Sequence, residues 1–179
     1  MGDVKVYTKK GDAGQTSMLS GERVSKSDAH IAAVGDLDEL SVAIGFARLA
    51  HPARGDALKE IQKQLYQLSA VVSFAGDEPH ERFQLEAGAV DRLEKLIDEI
   101  EAGLPALKDF IYPGLTEAGC RVHFARVVAR RAERTLALLP DGKRNACVPF
   151  INRLSDLLFV MAREVENDGG AGEEIYKKK

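Results

Sequence analysis

Apolar residues recur every three to four positions through most of the chain, and the recurrence breaks at clusters of Gly and Pro, which predicts helices separated by turns. The first periodic stretch opens at Gly35, with Asp36 placed to cap it and Glu39 placed to complete a capping box. Leu37, Leu40, Ile44 and Ala47 then share one face until Pro52. A second helix is expected over about 54–74, where Leu58, Ile61, Leu65, Leu68 and Val72 keep the spacing and Gly76 and Pro79 end it. Val90, Leu93, Ile97 and Ile100 predict a third over 86–102, closed by Gly103 and Pro105. The fourth is expected over 116–139, before Pro140, and the fifth over 146–166, with Leu154, Leu157, Leu158, Met161 and Val165 on a wide apolar face. Five such helices on short to medium connections point to an all-α fold, an up-and-down five-helix bundle.

Three stretches lack this period. Residues 1–34 extend briefly at Val4, Val6 and Tyr7 and then become dense in Gly, Ser, Thr and charge, as either a long ordered loop or a disordered tail does. Residues 167–179 read as a solvated tail. Between the third and fourth helices, Phe110, Ile111 and Tyr112 are apolar in a segment that Pro113 and Gly114 keep from being helical. Such a loop packs on the bundle, or else meets a large flat ligand or a neighbouring subunit. With no repeat and no linker, all 179 residues are read as one domain: loop region 1–34, bundle 35–166, tail 167–179.

Composition supports helices, since aromatics make up 6% of residues, Trp is absent and 45% of residues are hydrophobic, enough for a sizeable core. A net charge of -3 argues against general affinity for nucleic acid or an anionic membrane, so any phosphate site must be local. Cys120 and Cys147 are too few for a disulfide framework and are not spaced as metal ligands; both are read as reduced, buried small residues. No run is long enough to span a bilayer, the N-terminal residues lack a secretory or transit pattern, and Val6 spoils a myristoylation signal, so a cytoplasmic setting is expected.

Charge then singles out the fourth helix. In HFARVVARRAER, Arg126, Arg130 and Glu133 fall on one stripe, with His123 a turn before them and Val122, Ala125, Val128, Ala129 and Ala132 on the apolar side. Two guanidiniums one turn apart repel each other, so either the stripe is a solvated face or a carboxylate or a bound phosphate sits between them. Asp38 on the first helix is one carboxylate that could meet an arginine of another helix. In the N-terminal loop, Lys9, Lys10 and Lys26 flank Gly11, Gly14, Thr16 and Ser17, a chemistry suited to anions although the order is not that of a Walker loop.

Four blocks in order carry a resemblance over nearly the whole chain: YTKKGDAGQTS with SGERVSK, VGDLDELSVAIG, FIYPG followed by RVHFARVVARRAER, and PFINRLSDLLFVMAR. They resemble the ATP:cob(I)alamin adenosyltransferases of the propanediol-utilisation type. The resemblance implies a homotrimer with ATP at each subunit interface, Mg²⁺ carried mainly by the phosphates, and cobalamin as second substrate. By position, Thr8, Lys9, Lys10, Gly11, Thr16, Ser17 and Lys26 correspond to the ATP loop, and Arg130, Arg131, Glu133, Arg134 and Asn152 to the rest of the nucleotide site. Asp38 and Arg126 correspond to a pair bridging subunits, and Phe110 to the aromatic covering the lower face of the corrin.

The activity so implied is transfer of the 5′-deoxyadenosyl group of ATP to the cobalt of cob(I)alamin, with triphosphate released; a reductase and an adenosylcobalamin-dependent enzyme would be partners. The chain departs from the family at Lys10, where many members have Thr, at Ser41, where many have Asn, and at Leu115, where many have a second Gly. The alternative is a bundle that carries ATP or a corrinoid without transfer. A di-iron carboxylate bundle is excluded, because no helix carries Glu-x-x-His and His30, His51, His80 and His123 are scattered.

Overall fold

The computed structural model describes residue 7 and residues 9–177; Thr8, and the extension expected at Val4 and Val6, lie outside the described residues. Helices α1 (Ala29–Ala50), α2 (Gly55–Ser73), α3 (Ala89–Ala102), α4 (Glu117–Leu136) and α5 (Asp141–Asp168) appear in the expected order. A single 3-10 turn, Pro52–Arg54, joins α1 to α2. Ahead of α1, strands β1 (Gln15–Ser17) and β2 (Arg23–Ser25) pair antiparallel with Thr16 opposite Val24. The helix α4 is central, packed between α1 and α5, while α2 lies on α1 and α3 on α5. Its inner positions are small (Ala125, Ala129, Ala132), so the leucine-rich faces of α1 and α5 close onto it in one continuous core. Among the described residues no helix is long and apolar enough to cross a membrane.

Two helices begin earlier than the sequence pattern suggested. The N-cap of α1 is Asp28, whose carboxylate accepts from the His30 backbone N–H at 2.9 Å. That bond, more than any other influence, holds the Asp28 carboxyl below its ordinary range. Gly35 and Asp36 therefore lie inside the helix, and Asp36 is free to work sideways rather than as a cap. Helix α5 starts at Asp141 and carries Pro149 within it. Its early turns are justified by Lys143, which is fully buried and donates from Nζ to the carbonyl oxygens of Val72, at 3.3 Å, and of Phe74. A lysine on an apolar face thus satisfies carbonyls left open where α2 ends.

Cys147 is buried as expected, and burial pushes its thiol up to about 12. Cys120 is exposed instead, because it sits on the outward side of the first turn of α4 with Sγ 3.6 Å from the Gly114 carbonyl oxygen.

The segment after α5 is not a free tail. Ile175 forms an antiparallel bridge with Ile111, Tyr112 N–H donates to Glu174 O at 2.8 Å, and Tyr176 N–H donates to Phe110 O at 2.7 Å. Two apolar residues among lysines and glutamates, Ile175 and Tyr176, cover the apolar loop between α3 and α4.

Near that loop, α4 and α5 cross so closely at Gly119 that a Cβ there would collide with the carboxylate of Glu166. Glu166 is buried and accepts from the Leu115 backbone N–H at 2.9 Å, so it cannot swing to solvent without orphaning that donor. Gly119→Ala is expected to destabilise the chain by about 2 kcal/mol through overpacking and the strained bond. Urea unfolding would check this, and a loss under about 0.5 kcal/mol would mean the crossing opens without cost.

Candidate active site

The charged face of α4 divides its arginines among different surroundings. Arg126 Nε donates to His123 Nδ1 at 3.2 Å, which places the imidazole proton on Nε2. His123 is buried, and burial, helped by the Arg126 charge, pushes its pKa down to about 4, so the ring is neutral at physiological pH. Arg126 is itself held below its ordinary range by burial and by Arg130 one turn on. Arg131 points the other way, across the α1–α4 contact, where it pairs with Glu39 and lies 3.5 Å from Asp36. Thr135 Oγ1 donates to Asp36 as well, at 2.5 Å.

Glu133 accepts from Asn152 Nδ2 at 2.8 Å, which brings two expected site residues together between α4 and α5. Arg134 folds back onto the Arg130 carbonyl oxygen at 2.9 Å. The guanidinium of Arg130 is exposed, with no hydrogen bond or ion pair among the described residues. Asp38 is exposed on α1 and does not meet Arg126 within one chain. It stands at the head of an outward stripe that continues through Val42, Phe46 and Leu49, all exposed large apolar residues.

Two cavities open along the groove between α4 and α5. The larger, about 610 Å³, is bounded by Phe110, Ile111, Pro113, His123, Arg126 and Phe159. Phe110 is 81% exposed, so the apolar loop does not use this ring to pack on the bundle. The second, about 280 Å³, is bounded by Arg126, Arg130, Glu101, Asp156, Ser155 and Phe159 among others. Arg126 and Phe159 line both, so a chamber with aromatic walls, also edged by Lys108 and Asp109, adjoins one edged by Arg130, Glu101 and Asp156. Sequence reasoning missed Phe159, which the period of α5 makes indistinguishable from core. It also assigned no role to His123.

The N-terminal loop is ordered through its backbone. Lys26 N–H donates to Gly14 O at 2.9 Å, Gly14 N–H to Gly11 O at 3.2 Å, and Arg23 Nη2 to Lys10 O at 2.9 Å. Lys9 takes a left-handed conformation, φ 59°, and its ammonium lies 5.9 Å from the Tyr7 ring centroid. The Lys26 ammonium lies 3.3 Å from where a Cβ on Gly11 would be, so glycine there admits the amine over the turn. Thr16 is half-buried in β1, and Ser17 Oγ accepts from Arg23 Nη1 at 3.3 Å. A bond from Leu19 N–H to Ser73 O, 2.8 Å, fastens this hairpin to the end of α2. None of Lys9, Lys10, Gly11, Thr16, Ser17 or Lys26 lines either cavity of the α4–α5 groove. One chain therefore carries a lysine-rich loop and an arginine-bearing groove without joining them. Among the described residues no three His, Cys, Asp or Glu side chains gather as a metal site.

Comparison with known proteins identifies what this pairing of groove and loop belongs to. The chain is 38% identical over 177 residues to the corrinoid adenosyltransferase PduO of Citrobacter freundii, covering 96% of this chain and 53% of the relative, about half its length. It is 38% identical over 174 residues to the corrinoid adenosyltransferase of Mycobacterium tuberculosis, covering 92% of this chain and 90% of that protein. Among solved structures, a phenylalanine-to-alanine variant of the PduO-type ATP:corrinoid adenosyltransferase from Lactobacillus reuteri, complexed with cobalamin and ATP, superposes with a TM-score of 0.87 at 30% identity. That match covers 97% of this chain and all of the other. The family described as cobalamin adenosyltransferase matches residues 6–165. The chain belongs to the cobalamin adenosyltransferase family.

Proposed function

We propose that this chain transfers the 5′-deoxyadenosyl group of ATP to the cobalt of cob(I)alamin, releasing triphosphate. The observation that carries the reading is the pair of cavities sharing Arg126 and Phe159, one walled by the exposed Phe110 and the other by the unpartnered Arg130. The first suits one face of a broad, flat macrocycle, and the second suits phosphate. Cobalt(I) in the substrate is a strong nucleophile, so its electron pair forms the cobalt–carbon bond at C5′ while the carbon–oxygen bond to the triphosphate breaks. No protein base is required. The protein's work is to align the two substrates and to stabilise charge growing on the leaving group.

In this reading Arg130 meets the triphosphate together with Lys9, Lys10, Lys26, the backbone around Gly11, the hydroxyls of Thr8, Thr16 and Ser17, and the Glu133–Asn152 pair at its edge. Phe110 covers a corrin face and keeps water from it. Arg131 is held by Glu39 and Asp36, so its part is to hold α1 and α4 in register rather than to touch phosphate. Arg134 orders the turn carrying Arg130.

The separation of loop and groove supports assembly of the site from two copies of the chain, in a homotrimer. Val42, Phe46 and Leu49 on α1, with Phe124 and Val127 on α4, form an exposed apolar surface of the kind copies bury. Asp38, on the same stripe, then meets the Arg126 of a neighbour. Mg²⁺ arrives with the nucleotide, and a cytoplasmic reductase supplies cobalt(I).

Anaerobic turnover with chemically reduced cobalamin and ATP tests the reading, since binding of both without a cobalt–carbon bond would leave only a carrier. Arg130→Ala is expected to lower turnover by roughly 10²- to 10³-fold, the scale of losing one preorganised charge donor, with an unchanged thermal midpoint; undiminished turnover would remove Arg130 from the site. Phe110→Ala is expected to impair turnover coupled to reduction of cob(II)alamin far more than turnover from preformed cob(I)alamin. Equal losses in the two assays would reduce Phe110 to packing. Reversing the charge at either Asp38 or Arg126 is expected to weaken assembly and activity, and the double exchange to restore part of both, read by sedimentation and assay as a double-mutant cycle.

A further inference from the structure

The loop that presents Phe110 is held by the segment that follows α5, and two buried charges on the last turns of α5 control both. Arg163 is almost wholly buried. Its Nε donates to Glu173 Oε1 at 2.6 Å and its Nη2 to the Pro105 carbonyl oxygen at 2.6 Å. One guanidinium therefore ties the start of the Phe110 loop to the segment after α5. A turn later, Glu166 accepts from Leu115 N–H at 2.9 Å, which fastens the other end of the loop. In the middle, Phe110 O and Tyr112 N–H, on either side of Ile111, are bonded to Tyr176 N–H and Glu174 O. The Tyr112 and Tyr176 rings meet edge-on at 5.7 Å between centroids.

The backbone at Phe110 is thus satisfied and fixed while its ring remains exposed at the mouth of the larger cavity. An exposed aromatic on an otherwise free loop would lose much of its contact energy to ordering on ligand binding. The geometry points to Arg163 as a positioning residue for the corrinoid site: its pair with Glu173 seats residues 171–176 as a clasp that presets Phe110, and so sets affinity for cobalamin but not for ATP. This rests on the adenosyltransfer reading above.

Removing one member of a buried pair strands the other's charge, so the test uses the double variant Arg163→Met with Glu173→Met. A second, independent test is Tyr176→Pro, which deletes the N–H bonded to Phe110 O at an exposed position, with Tyr176→Ala as the control that keeps it. Steady-state assays with cob(I)alamin, and equilibrium dialysis with cob(II)alamin, are run on each full chain. A freed loop must be ordered when the ligand binds, which lowers affinity, so both the double variant and Tyr176→Pro are expected to raise KM and Kd for cobalamin roughly tenfold or more. KM for ATP stays within about twofold of the parent, and Tyr176→Ala, which loses the ring contact with Tyr112 but keeps the N–H, falls between the parent and Tyr176→Pro. Unchanged cobalamin constants in folded variants, or equal rises for ATP and cobalamin, would overturn the clasp. If the parent chain binds cobalamin without turning over, transfer fails while dialysis still judges the clasp. A parent that binds no cobalamin overturns both.

Discussion

Two guanidiniums stand one turn apart on α4, and the rest of the molecule is arranged around the difficulty this creates. At a separation of ~6 Å their repulsion amounts to between ~0.7 and ~3 kcal/mol, depending on how much water screens it. Arg126 is half-buried, so the larger end applies more nearly to it. Its available partner inside the chain is the imidazole of His123, which accepts through Nδ1 because burial keeps the ring neutral. A protonated His123 would add a third positive charge to the same face. The depressed pKa is therefore part of how the helix tolerates Arg126, and Arg130 is left facing open space with its charge unspent.

This division needs α4 to be gripped firmly from both sides. On the α1 side the grip is polar as well as apolar, since Arg131 meets Glu39 and Asp36, and Thr135 adds a second bond to Asp36. On the α5 side Asn152 holds Glu133, and Gly119 lets Glu166 come against the first turn. Exposed ion pairs of this kind contribute little stability singly. Here they fix rotation of the helix about its axis, which determines that Arg126 and Arg130, rather than Arg131, face the groove.

The five helices were legible because each buries one face and its apolar residues keep the period of 3.6 that burial requires. Where the reading slipped, a polar residue was doing something that period does not encode. Asp36 resembled a cap because it precedes a glutamate by three, yet the helix already runs from Ala29, where the Asp28 carboxylate accepts from the His30 backbone N–H. The expected start of α5 at 146 misses its first turn, because the buried Lys143 closes the end of α2, a contact between residues about seventy positions apart that no local pattern reports. The segment after α5 looked solvated because five of its charges surround Ile175 and Tyr176, and the strand to which these residues bridge is itself only a loop. Of the candidate site, charge and glycine content pointed to both the lysine loop and the arginine helix. Phe159 and the partner of Arg163 stayed hidden, since a core aromatic and a wall aromatic have the same periodicity, and Glu173 is one glutamate among several.

The distance between loop and groove also bears on why the chain keeps an exposed apolar stripe. A site completed inside one chain would gain nothing from Val42, Phe46 and Leu49 facing outward, and exposed large residues in line with an unpaired Asp38 carry a liability to aggregation. If a neighbour's groove is what the lysine loop serves, the same stripe that buries apolar area also delivers a carboxylate toward the Arg126–Arg130 face. Assembly and charge neutralisation then become one event. On that proposal a lone chain would hold the lysine loop and the arginine groove apart, and ATP would bind strongly only where two copies already meet, which would couple occupancy of the groove to the oligomer by mass action.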